Sequence, residues 1–100
     1  MENTNKFIIL YDYYGELLTD SQRSYFEDYY FNNLSLSEIA ENLNVSRNAV
    51  HKQLKVSEEK LVIYEEKLRL YEKTNKIEKL LEQSNDINLK NSIINILEGE

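Results

Sequence analysis

One hundred residues without a cysteine or a proline suffice for one compact domain, and they exclude a disulfide framework, a thiolate metal centre and a cysteine nucleophile. A net charge of −6 excludes a protein that coats nucleic acid by bulk charge, because such binding rests on counterions released from neutralised phosphates. Leu, Ile, Glu, Lys and Asn dominate and glycine occurs only at Gly15 and Gly99, a mix that favours long helices, so an all-α fold is expected.

In chain order, Phe7, Leu10, Tyr11, Tyr14, Leu17 and Leu18 recur at helical steps and predict a first helix running to about Leu18. The longest apolar run there, Phe7 to Leu10, is too short for a signal-peptide core or a membrane span, so a cytoplasmic protein without membrane insertion is expected. Thr19 with Gln22 has capping-box spacing and starts a second helix. Its aromatic stripe is Tyr25, Phe26, Tyr29 and Tyr30, and it stops near Phe31, before Asn32 and Asn33. Ser35 with Glu38 repeats the capping box and starts a short third helix carrying Leu36, Ile39, Ala40 and Leu43 and ending at Asn44.

Val45 and Ser46 then read as a tight turn, with Ser46 capping a fourth helix from Arg47. Along it Val50, Leu54, Ser57, Leu61, Tyr64, Leu68 and Tyr71 alternate four- and three-residue steps, a heptad-like seam interrupted only by Ser57. Thr74 is a candidate cap for a helix through Ile77, Leu80 and Leu81, and Asn85 with Asp86 for a last one carrying Ile87, Leu89, Ile93, Ile94, Ile96 and Leu97. The expected organisation is a helix-turn-helix core with a long helix over 1–72 and a helical extension over 73–100, the latter part of the same domain or of a dimer interface.

The segment from Leu36 to Leu54 has the internal logic of a helix-turn-helix. Ala40 is small enough for close helix approach, Val45 is expected to plug the turn, and Val50 and Leu54 to bury the second helix. Arg47, Asn48, His51, Lys52 and Lys55 then face outward, where Arg can read guanine and Asn adenine in a major groove. Residues 1–34 carry two basic and six acidic groups, 35–60 four of each, and 61–100 six and eight, so this middle stretch is the least acidic.

The run Leu18-Thr19-Asp20-Ser21-Gln22-Arg23-Ser24-Tyr25-Phe26, with Leu36-Ser37-Glu38-Ile39-Ala40-Glu41 and Val45-Ser46-Arg47-Asn48-Ala49-Val50, resembles region four of bacterial sigma factors. Closer still is the YlxM-like family. It is resembled in the stretch from Gln22 to Tyr30, in the pair Tyr11-Asp12 and in Tyr64-Glu65-Glu66-Lys67-Leu68, across roughly the first 70 residues. The resemblance implies a sigma-four-like helix-turn-helix protein encoded beside signal-recognition-particle genes, regulating that pathway or contacting its RNA or protein. Family members tend to carry an aromatic residue where His51 stands and an acidic one where Lys52 stands, so this chain is more basic there.

Other chemistries find little support. His51 is the only histidine and lacks the partners of a metal site or triad, Glu27-Asp28, Glu58-Glu59 and Glu65-Glu66 are neighbours that diverge on a helix, and no Gly-rich phosphate loop occurs. No enzyme, metal or cofactor is expected. The eight tyrosines are read as packing rather than as a stacking platform for single strands, since basic residues scarcely interleave with them. Leu61, Tyr64, Leu68 and Tyr71 are candidate dimer contacts, against the plainer reading that the seam packs within one subunit. Two functions are expected to compete: a regulator binding DNA or signal-recognition-particle RNA through Arg47, Asn48, His51, Lys52 and Lys55, and an interaction module that binds the targeting machinery without reading nucleic acid.

Overall fold

The computed structural model describes residues 2–99, and all regular structure among them is helical. In order these are α1 (Glu2–Tyr14), α2 (Asp20–Tyr30), α3 (Leu36–Leu43), α4 (Arg47–Leu68), α5 (Leu70–Glu82) and α6 (Ile87–Leu97), with a 3-10 turn at Gly15–Leu17. Two compact units result, α1 to α4 in one and α5 with α6 in the other, the second beginning at Arg69.

In the first unit, helix starts follow their side-chain caps. Thr19 Oγ1 accepts the Gln22 N–H while Gln22 Oε1 accepts the Thr19 N–H, both at 3.1 Å. The same Gln22 oxygen takes a 3.3 Å hydrogen bond from Lys60 Nζ, tying the start of α2 to α4. Asn33, at φ 57°, turns the chain out of α2, as the Asn pair predicts. The first helix is shorter than its periodicity: it closes at Tyr14, and the 3-10 turn leaves Leu17 exposed while Leu18 stays buried. A Cβ on Gly15 would lie 2.9 Å from Tyr11 Cε1, so the chain passes the Tyr11 ring at a distance only glycine permits.

The aromatic stripe of α2 divides between two cores. Tyr25 joins Ile39, Ala40, Val50 and Leu54 in the cluster between α2, α3 and α4, flanked by Leu34 and Leu36. Phe26 instead stacks on Tyr11 of α1 at 4.3 Å and on Tyr30 at 4.3 Å, and Tyr29 remains exposed. Phenol-to-carboxylate hydrogen bonds reinforce this second core: Tyr11 donates to Glu27, Tyr30 to Glu58, and Tyr14 to Glu65 at 2.5 Å. Along α4, Val50, Leu54, Ser57 and Leu61 all turn inward and are buried. Ser57 satisfies its hydroxyl by donating to the Gln53 carbonyl at 2.8 Å, so the polar break in the seam costs no lost hydrogen bond.

The continuous seam to Tyr71 is corrected by the backbone. Arg69 adopts the left-handed conformation, φ 54° and ψ 35°, and closes α4 at Leu68. Tyr71 therefore belongs to α5, and Thr74 lies inside that helix instead of capping it. The last helix does start as its cap predicts, with Asp86 Oδ1 accepting the Leu89 N–H at 3.0 Å. No helix among the described residues is long and apolar enough to cross a membrane.

Tyr11 and Tyr30 both hold their protons above the usual phenol value of 10.0, first because they are partly buried and next because each donates to a carboxylate. A folded-state pKa above the unfolded one gives stability that is complete below the unfolded value and lost as pH climbs through the folded one. Thermal melts are expected to fall as pH rises beyond 10.0, and to fall less steeply in a Tyr11→Phe/Tyr30→Phe double variant. Identical slopes in the two proteins would remove the phenols as the cause.

Candidate nucleic-acid interface

The helix-turn-helix is built by three caps. Ser35 Oγ accepts the Glu38 N–H at 3.1 Å and Glu38 Oε1 accepts the Ser35 N–H at 2.9 Å, which starts α3. Those bonds, the one from the Ser35 backbone foremost, hold the Glu38 carboxyl below its usual range. α3 ends at Asn44, left-handed at φ 58° and ψ 44°, with the Val45 N–H reaching back to the Ala40 carbonyl at 3.0 Å. Asparagine is the residue other than glycine that adopts this conformation most readily, so it does the work glycine often does in such turns. Ser46 then accepts the Ala49 N–H on Oγ at 3.0 Å, and α4 begins.

Close approach of the two helices rests on Ala40, which is buried, and on Ile39 and Val50, which have no exposed surface. Two expected contributors do not take part. Leu43 is 41 % and Val45 40 % exposed, so neither fills the motif; the turn is held by backbone hydrogen bonds rather than by an apolar plug. Their periodicity gave no warning: Leu43 closes a helix of eight residues and Val45 stands in the turn that follows it.

All five predicted contact residues, Arg47, Asn48, His51, Lys52 and Lys55, are exposed on α4: Asn48, Lys52 and Lys55 opposite the inward set Val50, Leu54 and Ser57, His51 to one side, and Arg47 at the helix start. Among the described residues no side-chain hydrogen bond or ion pair engages any of them. The first turn of α4 carries no acidic residue, and the first carboxylate along the helix is Glu58. Its free N–H groups and the helix dipole add partial positive charge at the same end. Lys55 stands apart from the other four: it lines an open groove with Phe7, Glu58, Glu59, Val62 and Ile63, next to the acidic stretch of α4. Among the described residues no group of His, Asp and Glu is arranged to hold a metal ion.

The four seam residues are placed very differently from one another. Leu61 is wholly buried and has no surface to offer a second subunit. Tyr64 is half-buried, its ring centroid 6.0 Å from that of Tyr14, while Leu68 is 45 % exposed and Tyr71 lies in the second unit.

The sequence matches the profile of UPF0122, described as "Putative helix-turn-helix protein, YlxM / p13 like", over residues 1–98. It is similar to a UPF0122 protein of Malacoplasma penetrans, 45 % identical over 86 residues that make up 86 % of this chain and 80 % of that one. A UPF0122 protein of Listeria innocua is 48 % identical over 82 residues, 82 % of this chain and 74 % of its own. One from Desulforamulus reducens is 44 % identical over 99 residues, 99 % of this chain and 77 % of its own.

Burial ranks the residues that hold α4 in place. Ile39→Ala is expected to cost about 2–5 kcal/mol in urea unfolding, Ser46→Ala about 1 kcal/mol through its lost cap, and Leu43→Ala under about 1 kcal/mol because its side chain is largely exposed. A Leu43→Ala cost equal to that of Ile39→Ala would contradict the packing described.

Proposed function

Since this chain belongs to the UPF0122 family of YlxM/p13-like helix-turn-helix proteins, we propose that it is a cytoplasmic, non-catalytic regulator of the signal recognition particle pathway that binds nucleic acid through the first turns of α4. The observation that carries this reading is the face formed by Arg47, Asn48, His51 and Lys52. It is exposed, free of internal partners and without a carboxylate before Glu58, in a protein of net charge −6. Acidic proteins that keep one unpaired basic helix face bring it to a polyanion locally, while their overall field discourages indiscriminate coating.

In the proposed complex the N-terminal end of α4 enters a groove. Arg47 and Asn48 stand nearest the base edges, His51 follows one turn on, and Lys52 and Lys55 meet phosphates. DNA of its own operon and the signal-recognition-particle RNA are the two targets that the YlxM-like resemblance brings forward. As a homodimer the protein would present two such helices to two half-sites.

A second reading has its own observation. Residues 2–68 hold seven basic and twelve acidic side chains, a net −5, which suits docking on a basic protein of the targeting machinery.

Fluorescence anisotropy with operon DNA and with signal-recognition-particle RNA, each at several salt concentrations, separates the two. With three cations at the contact, log K is expected to fall with log salt at a slope of about −3, and Lys52→Ala to reduce that slope by about 1. Arg47→Ala is expected to cost about 1–3 kcal/mol and to blur sequence preference. Absence of saturable binding to either nucleic acid, with binding to a signal-recognition-particle protein intact, would replace this proposal by the second reading.

A further inference from the structure

A single residue separates α4 from α5. α4 ends at Leu68, Arg69 stands at φ 54° and ψ 35°, and α5 begins at Leu70. Among the described residues three that are not glycine take a left-handed conformation, and two of them are asparagines at the ends of α2 and α3, Asn33 and Asn44. Arg69 is the exception. Asparagine steadies this conformation with its short polar side chain, whereas for other residues the clash of Cβ with the backbone disfavours it roughly five- to thirtyfold. The Arg69 side chain makes no capping bond to α5 in return.

The local sequence favours the opposite outcome. Glu65-Glu66-Lys67-Leu68-Arg69-Leu70-Tyr71-Glu72-Lys73 contains no Gly, Pro, Asn, Ser or β-branched residue, and all but Tyr71 are strong helix formers. The steps of the α4 seam also cross the junction unchanged, since Leu61, Tyr64, Leu68 and Tyr71 stay in phase only along an unbroken helix. In such a helix Glu65 stands four residues ahead of Arg69, the favoured order for an ion pair, and Glu72, which Arg69 meets here at 3.6 Å, remains three residues after it. Packing does not decide between the two forms. Strain at a left-handed residue persists where the surroundings over-determine it, yet all five residues from Glu66 to Leu70 are exposed, in contrast to the buried Val50, Leu54, Ser57 and Leu61.

We propose that Arg69 is the pivot of a two-state helix junction: in one state the chain breaks there, and in the other α4 runs on through α5 as one helix from Arg47 to Glu82. A conflict between local helix preference and the backbone, at an exposed residue between two compact units, is what such an element requires. The start of α4 is unaffected, because Val50 and Leu54 remain held by Ile39, Ala40 and Tyr25 in both states. The switch therefore redirects α5 and α6 and leaves the basic face in place. It does not rest on that face reading nucleic acid.

The test is pulsed electron paramagnetic resonance on the full chain, which has no cysteine of its own, spin-labelled through Glu59→Cys and Lys79→Cys at two exposed positions. Along one unbroken helix their backbones lie about 30 Å apart, and a bent junction brings them closer. With Arg69 intact, two separations are expected, the longer at about 30 Å. Arg69→Gly, which adopts the left-handed conformation freely and weakens a helix, is expected to deplete the longer separation at least roughly tenfold. Arg69→Ile, whose branched side chain resists that conformation, is expected to gather the population there. Residue 69 is exposed, so both variants are expected to keep the fold of the first unit, which circular dichroism verifies. A single separation with Arg69 intact, of either length, would overturn the proposal, and so would a ratio that both substitutions leave unchanged. Absence of nucleic-acid binding would sink the functional reading and leave the junction standing.

Discussion

Everything outward about α4 depends on what its inward side buries. Val50 and Leu54 are held against Ile39, Ala40 and Tyr25, and a helix has one rotation about its axis that satisfies such a contact. Fixing that rotation fixes the opposite face, so Asn48, His51 and Lys52 are exposed as a consequence of the packing of Val50 and Leu54, and Arg47 joins them at the helix start. Each aliphatic side chain buried this way contributes about 1.5–3 kcal/mol, a large share of a margin of about 5–15 kcal/mol for a whole domain. The orientation of the basic face and the stability of the first unit are thus the same fact.

Polar chemistry then decides which charges remain available. Glu27, Glu58 and Glu65 accept hydrogen bonds from Tyr11, Tyr30 and Tyr14, so three carboxylates are committed to joining α1, α2 and α4. Two of the three sit on α4 itself, beyond Lys55, so the helix changes character along its length. Its first turns are basic and unpaired, while its later turns are acidic and bound to phenols. Lys60, the next cation, is turned inward onto Gln22. An acidic protein with a basic helix start is the result, and the two properties do not compete because they occupy different turns of one rod.

Four helix starts were legible because each is signed by a side chain that closes a specific bond: Thr19, Ser35, Ser46 and Asp86 all cap as their spacing predicts, whereas the start of α5, expected at Thr74, has no side-chain cap and lies at Leu70. The start of α4 and the exposure of its five outward residues were legible for the same reason, since cap and periodicity agree there. What escaped lacks a local signature. Arg69 takes a left-handed conformation with neither Gly nor Asn to announce it, and the seam through Tyr71 was cut at that point. Tyr25 and Phe26 look alike in a stripe but enter different cores, because neighbours on one helix can face two others. Leu43 and Val45 are apolar by composition and exposed by position.

The central claim, that the first turns of α4 form the nucleic-acid surface, is tested most directly by amide chemical-shift mapping of the full chain during titration with a bound duplex. The packing described predicts that the shifts cluster at 46–55, with the neighbouring end of α3 second and α5 and α6 unmoved. Shifts concentrated on α1, α2 or the C-terminal helices, with 46–55 silent, would contradict it.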